Sequence, residues 1–299
     1  MPMKWIAAGV LSLALCTPLA AVAADGVASE RLITMRLEGR LTVDAEGHVQ
    51  EYHIRSKMPA PVKALLDKAI PNWRFEPVLV EGKPVLAESP MRILVAGLED
   101  GDKVRLRIDN VLFRANTREE FAAEMAEWAA NDVDIVPASL SPPKFPQKLQ
   151  DAGTEGVVLL AVRLTADGRV AESWVMQSSL LNASGRSIDL ERNRARFERS
   201  ALAAAEAWRF KVKAKDGAAL TAKAMTLAVP VEFTFRNVKE GSSFAGTWRR
   251  EFRGPKRPVP WLAGDDGETI GVSDLGNGEM LTGTPRLRLR NRDEALGAP

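Results

Sequence analysis

The chain is 299 residues long, enough for one to three domains, and its 45% hydrophobic and 27% charged residues are ordinary for a soluble globular protein. A formal net charge of +2 makes no electrostatic case for a nucleic-acid partner.

At the N-terminus, Lys4 precedes an apolar stretch from Trp5 to Cys16, and Ala21-Val22-Ala23 has the small residues of a cleavage site. The pattern predicts a signal peptide over residues 1–24, cut near Ala23 or Ala24, and hence a periplasmic protein. The rival reading is an uncleaved inner-membrane anchor, because the apolar stretch can be extended to the roughly 20 residues a bilayer helix needs. Pro18 and the Ala-x-Ala site favour cleavage, and Leu15 before Cys16 argues against a lipid-modified cysteine. Cleavage removes the chain's one cysteine, so no disulfide would hold the mature protein.

Residues 25–112 read as a first folded unit. Arg36 to Val43 is a strand, Asp44-Ala45-Glu46-Gly47 a turn, and His48 to Ser56 a second strand. Val62, Leu65, Leu66, Ala69, Ile70 and Trp73 then follow at helical spacing. After the turn Glu99-Asp100-Gly101-Asp102, Val104 to Ile108 alternates as an added hairpin strand would. Residues 113–138 are predicted to be a connector: Thr117-Arg118-Glu119-Glu120 opens a helix to about Ala130, and its Phe121, Met125 and Trp128 pack the two units together.

Residues 139–238 form the second unit. Ser141-Pro142-Pro143-Lys144-Phe145-Pro146 leads into a short amphipathic segment, Gln147 to Ala152, stopped by Gly153. Val157 to Leu164 and Arg169 to Ser178 make a hairpin around Ala166-Asp167-Gly168. Phe197, Ala201, Ala204, Ala205 and Trp208 share one stripe of a helix from Asn193 to Ala207. The closing strand, Ala222 to Phe235, alternates Met225, Leu227, Val229, Val231, Phe233 and Phe235 with smaller or polar residues. Trp208-Arg209-Phe210 mirrors Trp73-Arg74-Phe75, and Gly217 and Gly82 each stand nine residues after the Trp, so the chain repeats itself. Trp73, Phe75, Trp208 and Phe210 are the expected structural core. The second copy has about 14 residues more between turn glycine and Trp, which reads as an inserted loop from Leu180 to Arg196, either solvated or touching a partner.

In order, Gly153-x-Glu155-Gly156-x-Val158, Asp167-Gly168-x-Val170, Val175-x-x-Ser178-Ser179, Phe197-Glu198-x-Ser200-Ala201, Trp208-Arg209-Phe210 and Val229-Pro230-Val231-x-Phe233 resemble the TonB C-terminal domain family. The resemblance covers about a third of the chain, and the first copy is a degenerate version of it. It implies an α+β fold of two tandem ββαβ units, each a small antiparallel sheet on a helix. It also implies that the closing edge pairs with a short extended segment of an outer-membrane TonB-dependent receptor or another periplasmic peptide. The chain departs from an energy transducer of that family in having a cleavable signal and no long Pro-rich spacer.

The residues agree on the edge. Pro230 lacks the N–H that a central strand donates, which places Met225, Leu227, Val229, Pro230, Val231 and Phe233 on an edge strand open to a partner. No catalytic constellation is legible. His48 and His53 point to opposite faces of one strand, no metal-ligand set exists, and the prolines inside Ser141-x-x-Lys144 oppose the helical turn that would bring Lys back to Ser. The expectation is a protein that is no enzyme and has no cofactor or metal. Residues 239–299 are predicted to be an extended or disordered tail, whose Arg286, Arg288, Arg290 and Arg292 are solvated, form a weak strand, or touch membrane lipid or cell-wall polymer. Three roles stay open: a periplasmic strand-binding protein, a membrane-anchored transducer, and a scaffold whose first unit covers the second unit's edge; a homodimer stays open beside them.

Overall fold

The computed structural model describes residues 29–100, 103–113, 133–235, 245–262, 270–275 and 287–296. The predicted signal peptide and the helix expected at 117–130 lie outside them.

The first half begins with β1 (Glu30–Val43), whose Met35, Leu37, Leu41 and Val43 point into the core, and turns into β2 (Val49–Ile54). The Asp44 carboxylate fixes that turn by accepting the N–H groups of Glu46 (3.0 Å) and His48 (2.8 Å). Helix α1 (Ala60–Ala69) starts after Pro59, buries Val62 and Leu66, and ends in a 3-10 turn that delivers Trp73 and Phe75 to the core. A small hairpin, β3 (Val78–Val80) and β4 (Lys83–Val85), precedes β5 (Ala87–Asp100) and β6 (Lys103–Leu112). Trp73 and Phe75 both meet the Phe113 ring edge-on, at 6.1 and 5.0 Å.

The second half comprises β7 (Val133–Ser139), α2 (Gln147–Asp151), β8 (Glu155–Leu164), β9 (Val170–Leu181), α3 (Ser187–Ala205), β10 (Arg209–Ala214) and β11 (Thr226–Phe233). Alternate residues of β8 and β11 pack under α3 with Phe197, Ala201, Trp208 and Phe210. Both halves use the same local devices. The Phe75 N–H donates to the Gly47 carbonyl (2.8 Å) as the Phe210 N–H donates to that of Gly168 (2.9 Å). Both glycines have positive φ, and a Cβ on either would collide with the phenylalanine carbonyl. Arg74 and Arg209 each turn back onto the carbonyl of the preceding Trp, at 2.8 and 2.7 Å.

Two expectations for this half are corrected by the structure. The stretch Leu180 to Arg196 is no loop: β9 runs through Leu181 and α3 starts at Ser187, so the added residues lengthen the helix. Its polar composition concealed a buried stripe of Leu190, Arg194, Phe197 and Glu198, in which the two charges satisfy one another (2.7 Å). The last part of the range assigned to a connector helix, residues 133–138, is instead strand β7, paired with β10.

The tail beyond 239 is not uniformly extended or disordered. Trp248–Arg253 forms β12, which lies between β9 and β1 and joins what were expected to be two separate small sheets into one: β11-β8-β9-β12-β1-β5-β6, with β2 also on β1. Phe252 is the one fully buried apolar side chain of β12, Trp248 packs partly buried against the first half's core, and the other buried residues, Glu251 and Arg253, are charged. The Glu251 carboxylate accepts the hydroxyls of Thr34 on β1 and Ser273 (both 2.6 Å), and Arg253 grips Asp109 on β6 at 2.6 and 3.0 Å. Burial pushes the Asp109 carboxyl up, but the charge and hydrogen bonds of Arg253 and Arg107 outweigh it and hold the group below its ordinary value. Farther on, residues 270–275 cover the sheet face opposite α3, with Val272 and Leu275 on Leu159 and Ala228. Residues 287–290 run beside Arg74-Phe75-Glu76, as β7 does beside β10, before the terminal turn α4 (Arg292–Ala295).

Candidate functional site

Strand β11 ends the sheet and, among the described residues, pairs only with β8. Its polarity follows from one bond: the Leu164 N–H donates to the Met225 carbonyl (2.8 Å). In an antiparallel ladder the rungs recur at every second residue, so Met225, Leu227, Val229, Val231 and Phe233 bond inward to β8. The same odd positions put their side chains under α3, where each is buried. Pro230 lies opposite Leu159 between rungs, so its missing N–H faces outward and costs the ladder nothing. The Thr226 carbonyl, both backbone groups of Ala228 and the Pro230 carbonyl point to the same open side.

The two ends of this edge carry features that the sequence pattern did not single out. At one end Phe145 stacks on Phe235 (4.9 Å) and meets Phe197 and Phe233 edge-on (5.6 and 5.7 Å). Phe235 is 49% exposed, an aromatic face beside the open strand, and its N–H is held by Glu155 (2.9 Å). At the other end the Trp261 indole N–H donates to the Thr226 hydroxyl (3.0 Å), and the Arg163 guanidinium lies 5.8 Å over the Trp261 ring. The Phe-Pro pair at 145–146 was the available signal for the first; nothing local indicates that Trp261, 35 residues downstream, returns to Thr226.

The four aromatic core residues are all buried and none reaches the edge. The Trp208 indole N–H donates to the Ser141 carbonyl (2.9 Å), so the proline-rich lead-in wraps the helix end. In the first half, β5 stands where β11 stands in the second, but β6 covers its outer side. His48 and His53 lie on the surface, and among the described residues no group of three His, Cys, Asp or Glu side chains could hold a metal ion. Ser141 and Lys144 contribute backbone carbonyls, to Trp208 and Ser200, rather than a catalytic pair.

The second half is thus an antiparallel sheet backed by a helix and ending, among the described residues, in a proline-marked strand paired on one side. Residues 141–235, which contain β8, β9, α3, β10 and β11, match the family described as Gram-negative bacterial TonB protein C-terminal over about a third of the chain. The match supports a TonB-like role in transport; the family it points to is associated with the cell envelope and with outer-membrane receptors. Among solved structures, the solution NMR structure of the Pseudomonas aeruginosa TonB CTD is similar at 26% identity over 36% of this chain and 89% of that one, with a TM-score of 0.21. No curated protein matches. Among the described residues no helix is long and apolar enough to cross a membrane.

Proposed function

We propose that this is a non-enzymatic periplasmic protein that recruits an extended segment of an outer-membrane receptor onto β11 by strand addition. The observation that carries the reading is the outward set of backbone groups from Thr226 to Pro230, with the exposed Phe235 face at its end. About four backbone bonds at roughly 0.5 to 1.5 kcal/mol net each, less the ordering of the guest, make a weak site, and an apolar guest side chain on Phe235 strengthens it into the micromolar range. The pairing is sequence-tolerant along the backbone and selective at the aromatic end. The tandem arrangement supports a single such edge per chain, because β6 already sits on the equivalent strand of the first unit.

The scaffold alternative requires the first unit to cover β11, yet that unit lies at the opposite end of the strand order. The anchored-transducer alternative differs in the N-terminus, and the mass of the processed protein separates it from a soluble one. The binding test uses the full chain, because β12 and residues 270–275 complete the second unit's sheet. Peptides copied from receptor plug segments are titrated while the β11 amides are followed by NMR, with Ala228→Pro as the control. The wild type should shift Ala228 and its neighbours, and the variant, lacking one outward donor, should bind about 2- to 10-fold more weakly. Saturating peptide that leaves the β11 amides unmoved overturns the proposal.

A further inference from the structure

Three strands of the large sheet have a side that no described residue pairs with: β11, β6 and β2. Edges of this kind invite pairing with another chain and are ordinarily blocked by charge or proline. β6 carries Lys103, Arg105 and Arg107 at alternate positions, and β11 carries Pro230. β2, Val49-Gln50-Glu51-Tyr52-His53-Ile54, has no lysine, arginine or proline.

Its outward groups follow from the ladder. The Arg55 N–H donates to the Glu38 carbonyl (2.8 Å), so His53 opposite Arg40 and Glu51 opposite Thr42 are the inward rungs. Tyr52 and Ile54 therefore aim both backbone groups away from β1, while their side chains pack on the α1 side. Tyr52 is fixed there by donating its hydroxyl to Asp67 (2.7 Å), itself paired with Lys63 (2.6 Å). Beside the strand runs a groove of about 410 Å³, walled in part by Ile54, Met58 and Leu66.

We propose that this edge pairs with β2 of a second copy, antiparallel about a two-fold axis at Tyr52. The argument is self-complementarity. With Tyr52 opposite Tyr52, the outward backbone groups of the two tyrosines meet as rungs, and Ile54 comes opposite Gln50, the residue bulged out of the β1 ladder. Glu51 then stands directly opposite the second copy's His53, twice by symmetry, with each His53 backed on β1 by Arg40. Glu51 and His53 are exposed in the single chain and share the face away from α1. The carboxylate accepts an imidazole N–H and sits near a guanidinium, a favourable cross-strand pair at the close spacing of a non-bonded position. On the other face, the second copy's Tyr52 and Ile54 side chains line up beside the groove, with both α1 helices on one side of the joined sheet. A second chain is favoured over an unrelated peptide because one short strand supplies both the donor and the acceptor of each cross-strand pair.

Sedimentation velocity on the full chain, Glu51→Lys, His53→Glu and the double variant tests this, with circular dichroism checking that each is folded. The wild type should dimerise reversibly within the micromolar range, each single variant should weaken the dimer by about tenfold, Glu51→Lys by setting an ammonium against the imidazole in place of its acceptor and His53→Glu by setting two carboxylates together, and the double variant should return to within about threefold of wild type. A wild type that stays monomeric at about 100 µM overturns the proposal. So do single variants that dimerise unchanged, or a double variant that fails to recover, since either assigns association to another surface.

Discussion

Replacing Phe252 by alanine tests whether the two halves are one cooperative body. The ring is 2% exposed near the C-terminal end of β12, packs into the second half's core with Leu180 and Leu190, and lies 5.3 Å beneath the Arg31 guanidinium of β1. Truncating a buried phenylalanine costs about 3 to 5 kcal/mol from lost transfer energy and the residual cavity, and losing the cation contact adds about 0.5 to 1. Against a net stability of roughly 5 to 15 kcal/mol, this removes from about a quarter to all of the total. Because β12 holds the register of both β9 and β1, hydrogen exchange should quicken in both strands together, and the urea midpoint should fall without a split transition. Loss of protection in β9 with full protection kept in β1 would mean that the halves are independent and that β12 is only an appendage. An unchanged midpoint would mean that Phe252 is not in the core at all.

The remaining predictions probe the splice and the turn. Asp109→Asn should destabilise at pH 7 by about 2 to 4 kcal/mol, because it leaves Arg253 buried beside a neutral amide, with the charges of Glu251 and of Glu30, the latter at 3.7 Å, in place of a hydrogen-bonded carboxylate. Since the folded-state pKa of Asp109 is depressed, its contribution is present above the unfolded value near 4 and is lost as pH falls through the lower folded one. Urea midpoints of variant and wild type should therefore converge on acidification, and a gap independent of pH refutes the pairing. Gly168→Ala should cost more than about 1 kcal/mol, because φ is +79° and the new Cβ would meet the Phe210 carbonyl. Thermal melting reads this, and an unchanged midpoint shows the hairpin turn placed differently.

What could be read before any coordinates was local. Strict alternation from Met225 to Phe233, the Gly168 turn and the Phe197 to Trp208 stripe each carry their own period, so β8, β9, β11 and the second half of α3 followed from spacing, while β7, β10 and the first turns of α3 did not. The first unit was legible for the same reason, through Gly47, Val62 to Trp73 and the Trp-Arg-Phe triplet. The elements missed are those whose burial is bought by partners distant in the chain. Arg194 and Glu198 look solvated in sequence and are buried because each neutralises the other across a helical turn.

The sequence alone determined which segments alternate or spiral, because those periods arise between near neighbours on one backbone. Only the tertiary structure decided that Trp248–Arg253 enters the sheet, since its stability comes from Thr34, Asp109, Ser179 and Ser273, all remote along the chain. It also decided which edges remain open: β6 covers β5, nothing described pairs with the outer sides of β11 and β2, and no pattern within a strand records what lies beside it.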